Sequence, residues 1–194
     1  MKNYLTGCIA LSLLFLIACS SQTDEFTDLF LRVAKMKIQR NDYTLGETLT
    51  AMQKETARRN AVDAASPATY KFNDNSLFIV ADKATDRVLI MYESYDPTSR
   101  GKVRELVGNL FFEFGDPTVM AHDKTIYWAF DETGKISEQQ YRDSKEKKQP
   151  LKTLATVKLD SSHKIMDEGD DGKVRSVYYI VSSPPLLELL EQRN

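Results

Sequence analysis

An α+β fold is expected for this 194-residue chain: about five mostly antiparallel strands in one sheet, packed by helices on one or both faces. Three observations carry it. Two apolar runs of strand length, SLFIVA (76–81) and RVLIMYESY (87–95), flank the turn-forming DKATD and predict a hairpin. A capped, amphipathic helix over about 97–114 follows. Three further strand patterns come after it: TIYWAFD (125–131), LATVKLD (154–160) and KVRSVYYIVS (173–182).

The remaining elements follow from spacing and punctuation. Phe26, Leu29, Phe30 and Val33 recur at i, i+3, i+4 and i+7, which predicts a first helix over 24–40, with Asp24 and Glu25 suited to its positive end. NDYT breaks it. Thr44 and Glu47 have capping-box spacing and predict a second helix over about 45–64, with a thin stripe of Leu45, Leu49 and Met52. Residues 25–65 are thus expected to be a helical N-terminal part, and 70–194 a helix-on-sheet part, of one domain over 25–194. Both faces of the 76–81 and 87–95 runs are apolar, so they should be central strands covered by helices. In the central helix, Asp96 or Ser99 suits the cap and Pro97 the first turn. Val103, Leu106, Val107, Leu110, Phe111 and Phe114 share its stripe, and Gly115 and Pro117 end it. Residues 132–150 are polar and aperiodic and read as a mobile excursion with room for one helical turn. SSPPLLELLEQ (182–192) reads as a short C-terminal helix capped by Ser183, with Leu186, Leu189 and Leu190 inward.

Composition removes several classes of function. A net charge of −2 provides no basic field, so no nucleic acid partner is expected. The only histidines, His122 and His163, stand in separate turn-like segments without partners at ligand spacing, so neither metal nor cofactor is expected. DEGDDG (167–172) fails calcium-loop spacing because Gly169 stands where the second ligand belongs. No G-x-S-x-G elbow, no phosphate-cradling loop and no placed pair of carboxylates is present, which leaves no catalytic residue to name. The KEKK cluster (145–148), with Lys152 nearby, reads as a solvated loop in preference to a contact with anionic headgroups or peptidoglycan. Tyr92 and Tyr95, Tyr127 and Trp128, and Tyr178 and Tyr179 each straddle two faces of a predicted strand. Exposed members suit protein contacts; a large core rimmed by hydrogen-bonded phenols is the simpler account.

The first residues decide the compartment. Lys2 precedes an apolar core over 4–18 that reaches only about 22 Å as a helix, short of the roughly 30 Å hydrocarbon thickness. The uncharged stretch from Asn3 to Thr23 is just long enough to span. Leu16-Ile17-Ala18-Cys19 resembles the bacterial lipobox. That resemblance implies a lipoprotein signal peptide over 1–18, diacylglycerol on the Cys19 sulfur, cleavage before Cys19 and a lipidated tether over 19–24. Cys8 and Cys19 are the only cysteines, so the processed chain would keep one and form no internal disulfide. Ser20 in place of an aspartate implies the outer membrane, with an inner-membrane or cell-surface anchor as the alternative.

Residues 103–165 carry a second likeness. An amphipathic helix ends in FGDPT, then come IYWAF and TVKLDSSHKI. This order resembles the small envelope lipoproteins of the SmpA/OmlA (BamE-like) type and implies a helix-on-sheet scaffold used for protein contacts. The chain departs from them by placing two helices and the 77–95 hairpin first. The expectation is a non-enzymatic, lipid-anchored envelope protein, held to the membrane through Cys19, that binds an envelope protein partner in assembly or maintenance. A periplasmic ligand-binding or inhibitor module is the alternative, and an envelope hydrolase ranks last.

Overall fold

The computed structural model describes residues 25–146, 151–165 and 175–192, the side chain of Arg175 excepted. The lipobox with Cys19, Lys147 and Lys148 of the KEKK cluster, and DEGDDG lie outside the described residues.

Helix α1 spans 25–35 and buries Phe26, Leu29, Phe30 and Val33, as the spacing predicts. It stops five residues short of Arg40, because Lys37 takes a positive φ of 54° and the chain turns into an extended hairpin. Strands β1 (Gln39–Arg40) and β2 (Tyr43–Thr44) form that hairpin, so Thr44 is a strand residue and not a helix cap. Helix α2 covers only Ala51–Arg59. Its capping box is Thr50 with Gln53: the Thr50 hydroxyl accepts from the Gln53 N–H, and the Gln53 side chain accepts from the Thr50 N–H at 2.8 Å. The expected 45–64 helix is therefore corrected to a shorter one starting six residues later. Gly46 explains the delay. It has φ 81°, and a Cβ there would stand 2.9 Å from the Phe30 carbonyl and the Ala34 nitrogen, so this position is a close turn against α1. Leu45 and Leu49 are buried from the loop, whereas Met52 is 81% exposed.

The sheet is larger than expected. Strands β3 (Ala61–Val62), β4 (Thr69–Asp74), β5 (Leu77–Asp82), β6 (Val88–Thr98), β7 (Val119–Ala121), β8 (Thr125–Asp131), β9 (Gly134–Lys135), β10 (Ala155–Ser161) and β11 (Arg175–Ser182) form one sheet. Its order is β3-β4-β5-β6-β11-β10-β8-β7, with β9 on the far end of β8, and every pairing is antiparallel. The five expected strands are β5, β6, β11, β10 and β8, which are contiguous; short or polar strands extend both edges.

Helix α3 (Arg100–Phe114) is capped by the Ser99 hydroxyl, which accepts from Lys102 N–H, and ends at Gly115 with φ 68°. Pro97 belongs to β6 and not to the first turn. The polar excursion is corrected too: it holds β9 and helix α4 (Glu138–Glu146), opened by reciprocal bonds between Ser137 and Gln140. Helix α4 buries no residue, and its hold on the sheet is Tyr141 set edge-on to Tyr127, with centroids 6.2 Å apart. Helix α5 (Pro184–Glu191) begins at Ser183 and buries Leu186 and Leu190, with Leu189 half-buried. Five helices are thus described where four were expected.

Candidate functional site

Cross-strand register sorts the sheet into two faces. Phe72, Ile79, Met91, Val181, Val157 and Trp128 stand side by side from β4 to β8 and are fully buried. Helix α3 and the β1–β2 hairpin cover this first face: Phe111 packs on Trp128, and Tyr43 on Phe72.

The second face differs. One row runs Asn73, Phe78, Tyr92, Ile180, Lys158 and Tyr127; the next runs Val62, Lys71, Val80, Ile90 and Ser182. Phe78, Val80, Ile90, Tyr92 and Ile180 are half-buried, and Tyr178 in the adjoining row is 41% exposed. The rings of Phe78 and Tyr92 stack at 4.9 Å with 12° between planes. The expectation that helices would cover both sides of β5 and β6 is therefore corrected: one face is sealed and the other half-open. The three aromatic pairs divide as strand alternation requires. Tyr95, Trp128 and Tyr179 lie on the first face, and Tyr92, Tyr127 and Tyr178 on the second. A rim of bonded phenols does not account for the second set, because the Tyr92 and Tyr178 hydroxyls make no hydrogen bond among the described residues. An apolar stripe about three residues wide thus lies across β5, β6 and β11, between α4 at one side and α5 at the other.

Beside α5 the stripe deepens into a groove of about 440 Å³. Val80 and Ile90 floor it, Leu187 and Leu190 form one wall, and Ala65 stands on the other with Lys71 beside it. Larger clefts of about 610 and 770 Å³ flank α1, but charged side chains line both, among them Arg32, Glu132 and Asp28.

No protein family, curated protein or solved structure matches this chain.

A polar cluster missed in the sequence lies beneath α3. Glu93 is 4% exposed and accepts from Arg40 Nε at 3.0 Å, the Tyr95 hydroxyl at 2.8 Å and the Ser76 hydroxyl at 3.3 Å. The Arg40 guanidinium also lies over the Tyr179 ring, 4.7 Å from its centroid. The Tyr179 hydroxyl is buried with no hydrogen-bond partner among the described residues. The sign that was available is a glutamate at the inward beat of an apolar strand, between Met91 and Tyr95. This cluster locks β1 to β6, and among the described residues Glu93 is the one buried carboxylate in it. Elsewhere, His122 is exposed in a turn, and His163 Nδ1 stands 2.9 Å from the Ser162 hydroxyl. Among the described residues no group of three His, Cys, Asp or Glu side chains could hold a metal ion.

Burial, and next the bond to Glu93, pushes the Tyr95 phenol up to about 12; burial also raises Tyr43, Tyr70, Tyr127 and Tyr179. A raised folded-state value means the folded chain holds these protons more tightly than the unfolded chain, whose phenols titrate near about 10. Stability should be unaffected by these groups below about pH 10 and fall steadily as pH rises toward about 12. Urea titrations across that range check this, and Tyr95→Phe should flatten part of the decline. A stability that rises above pH 10 contradicts it.

Proposed function

We propose that this chain is a lipid-anchored envelope protein that binds another protein through the apolar stripe on the second sheet face, without catalysis. The stripe carries the reading. Its aromatic and branched residues are contiguous, half-exposed and set on a rigid sheet, the composition that anchors protein interfaces. The lipobox supplies the address. A six-step tether from Cys19 to residue 25 reaches about 20 Å at most, so the domain would work close to the bilayer. The order of α3, Trp128 strand and β10 agrees with the helix-on-sheet scaffold implied by the BamE-like resemblance. The outer membrane is the proposed location.

Two experiments test the two halves. Mass spectrometry of the mature N-terminus should find acylated Cys19, and Cys19→Ala should leave unprocessed precursor; an unmodified chain beginning at Met1 or Ser20 sinks the anchor. Tyr178→Ala touches an exposed position and should change stability by no more than about 0.5 kcal/mol. It should nevertheless weaken capture of the partner from detergent-solubilised membranes by about ten-fold or more, the scale of an interface anchor. Capture unchanged by Tyr178→Ala and by Tyr92→Lys removes the stripe from the account.

A ligand-binding module is a second reading, and the 440 Å³ groove is the observation that favours it.

A further inference from the structure

We infer that the groove between α5 and strands β4–β6 binds one long acyl chain bearing an anionic head, taken from the membrane beside the anchor. The inference rests on the lipid anchorage proposed above. The groove's volume of about 440 Å³ falls within the range of small-ligand sites. Its floor and α5 wall are aliphatic, from Val80, Ile90, Leu187 and Leu190. Two hydroxyls of its lining are already used: that of Thr69 donates to the Ser66 carbonyl at 3.1 Å, and that of Ser66 accepts from Ala68 N–H at 3.2 Å.

These facts select the ligand class. A peptide laid in the groove would meet the face of the sheet, whose backbone groups are spent on neighbouring strands, and its own N–H and C=O groups would go unpaired. An acyl chain has no such groups to satisfy. Lys71 sets the head. It is half-buried on the groove, and no carboxylate lies within ion-pairing distance of it among the described residues. Its stem can lie on the apolar floor with the ammonium at the mouth. Glu191, exposed on α5, is the other charged residue of the lining. Position agrees with a membrane source. The other side of α5, through Pro184, Pro185 and Leu189, borders the cleft that Glu25 lines. The groove is thus separated from the base of the tether by one helix, about 10 Å across.

The test uses the full chain in membrane vesicles with a diazirine-bearing long-chain fatty acid, photolysed and mapped by tandem mass spectrometry. Adducts are expected on the Val80–Ile90 and Leu187–Leu190 segments. Ala65→Trp or Leu187→Trp, which fill the groove, should each reduce them by about ten-fold, and Lys71→Glu by about five-fold. The matching diazirine alcohol should label about five-fold less than the acid. A phosphatidylglycerol carrying the same diazirine tells a phospholipid source from free fatty acid; labelling by either supports the class, and labelling by neither overturns it. Equal labelling by acid and alcohol overturns the anionic head, and that comparison needs no variant. Labelling that survives both tryptophan substitutions overturns the groove. Label that appears only in Cys19→Ala means the chain's own anchor fills the groove, which also overturns the proposal. Tyr178→Ala should keep the fatty-acid label while losing the protein partner, and the mass of the mature N-terminus reports the anchor separately.

Discussion

Trp128→Ala should lower the free energy of unfolding by about 3–5 kcal/mol, a large share of the roughly 5–15 kcal/mol that domains of this kind possess. Trp128 is fully buried at the centre of the contact between α3 and the sheet. Phe111 meets its ring edge-on at 5.8 Å, and Phe114 lies at 5.9 Å. Its indole N–H donates to the Gly115 carbonyl at 2.8 Å, so the same side chain fills the core and satisfies the end of α3. Alanine would leave a cavity and remove the hydrogen bond that the Gly115 carbonyl accepts. Trp128→Phe keeps most of the volume and should cost less, about 1–3 kcal/mol. Urea denaturation reads both. A loss below about 1 kcal/mol for Trp128→Ala would show that α3 does not rest on this residue.

Arg40→Ala should cost a comparable amount, about 3–5 kcal/mol, by leaving Glu93 as an uncompensated buried charge. The Arg40 side chain is 26% exposed and that of Glu93 only 5%, so the carboxylate carries most of the desolvation. Coupling between the two residues is therefore the sharper measurement. Adding Glu93→Gln to Arg40→Ala should recover part of the loss, because the neutral amide no longer needs the guanidinium while Tyr95 and Ser76 can still bond to it. Strictly additive losses would mean that Arg40 acts only by packing on Tyr179.

Reading order from sequence succeeded where burial imposes a period. The five central strands and the stripes of α1, α3 and α5 are each dictated by apolar spacing, and all lie against the core. The edges were harder. Strand β4 alternates Tyr70 and Phe72 with Lys71 and Asn73, but its polar half hides it among loop residues. Strands β3, β7 and β9 are two or three residues long and exist through pairing with a neighbour, which no local signal records. Helix α4 lacks any buried residue, so nothing apolar marked its turn spacing. The capping box illustrates a different limit. The four-residue pattern occurs at Thr44–Glu47 and again at Thr50–Gln53, and Gly46 against α1 selects the second. Tyrosine alternation correctly divided the aromatics between faces. Which face stays half-open depended on where α4 and α5 land, and that is a tertiary fact.

The functional account joins an address in the first residues to a surface on the sheet. Phe78, Tyr92, Ile180 and Tyr178 form that surface because four residues on three neighbouring strands share one side by register. The groove beside α5 extends it toward the N-terminal end of α1.

The most direct measurement is site-specific photo-crosslinking of the full chain in native membranes, with a benzophenone amino acid placed at Tyr178 and, separately, at Met52. Met52 is 81% exposed on α2, away from the stripe. The account predicts one discrete protein adduct from Tyr178, lost when Tyr92→Lys is added, and none from Met52. Equal adducts from both positions, or no adduct from Tyr178 in a chain shown to be membrane-anchored, would contradict it.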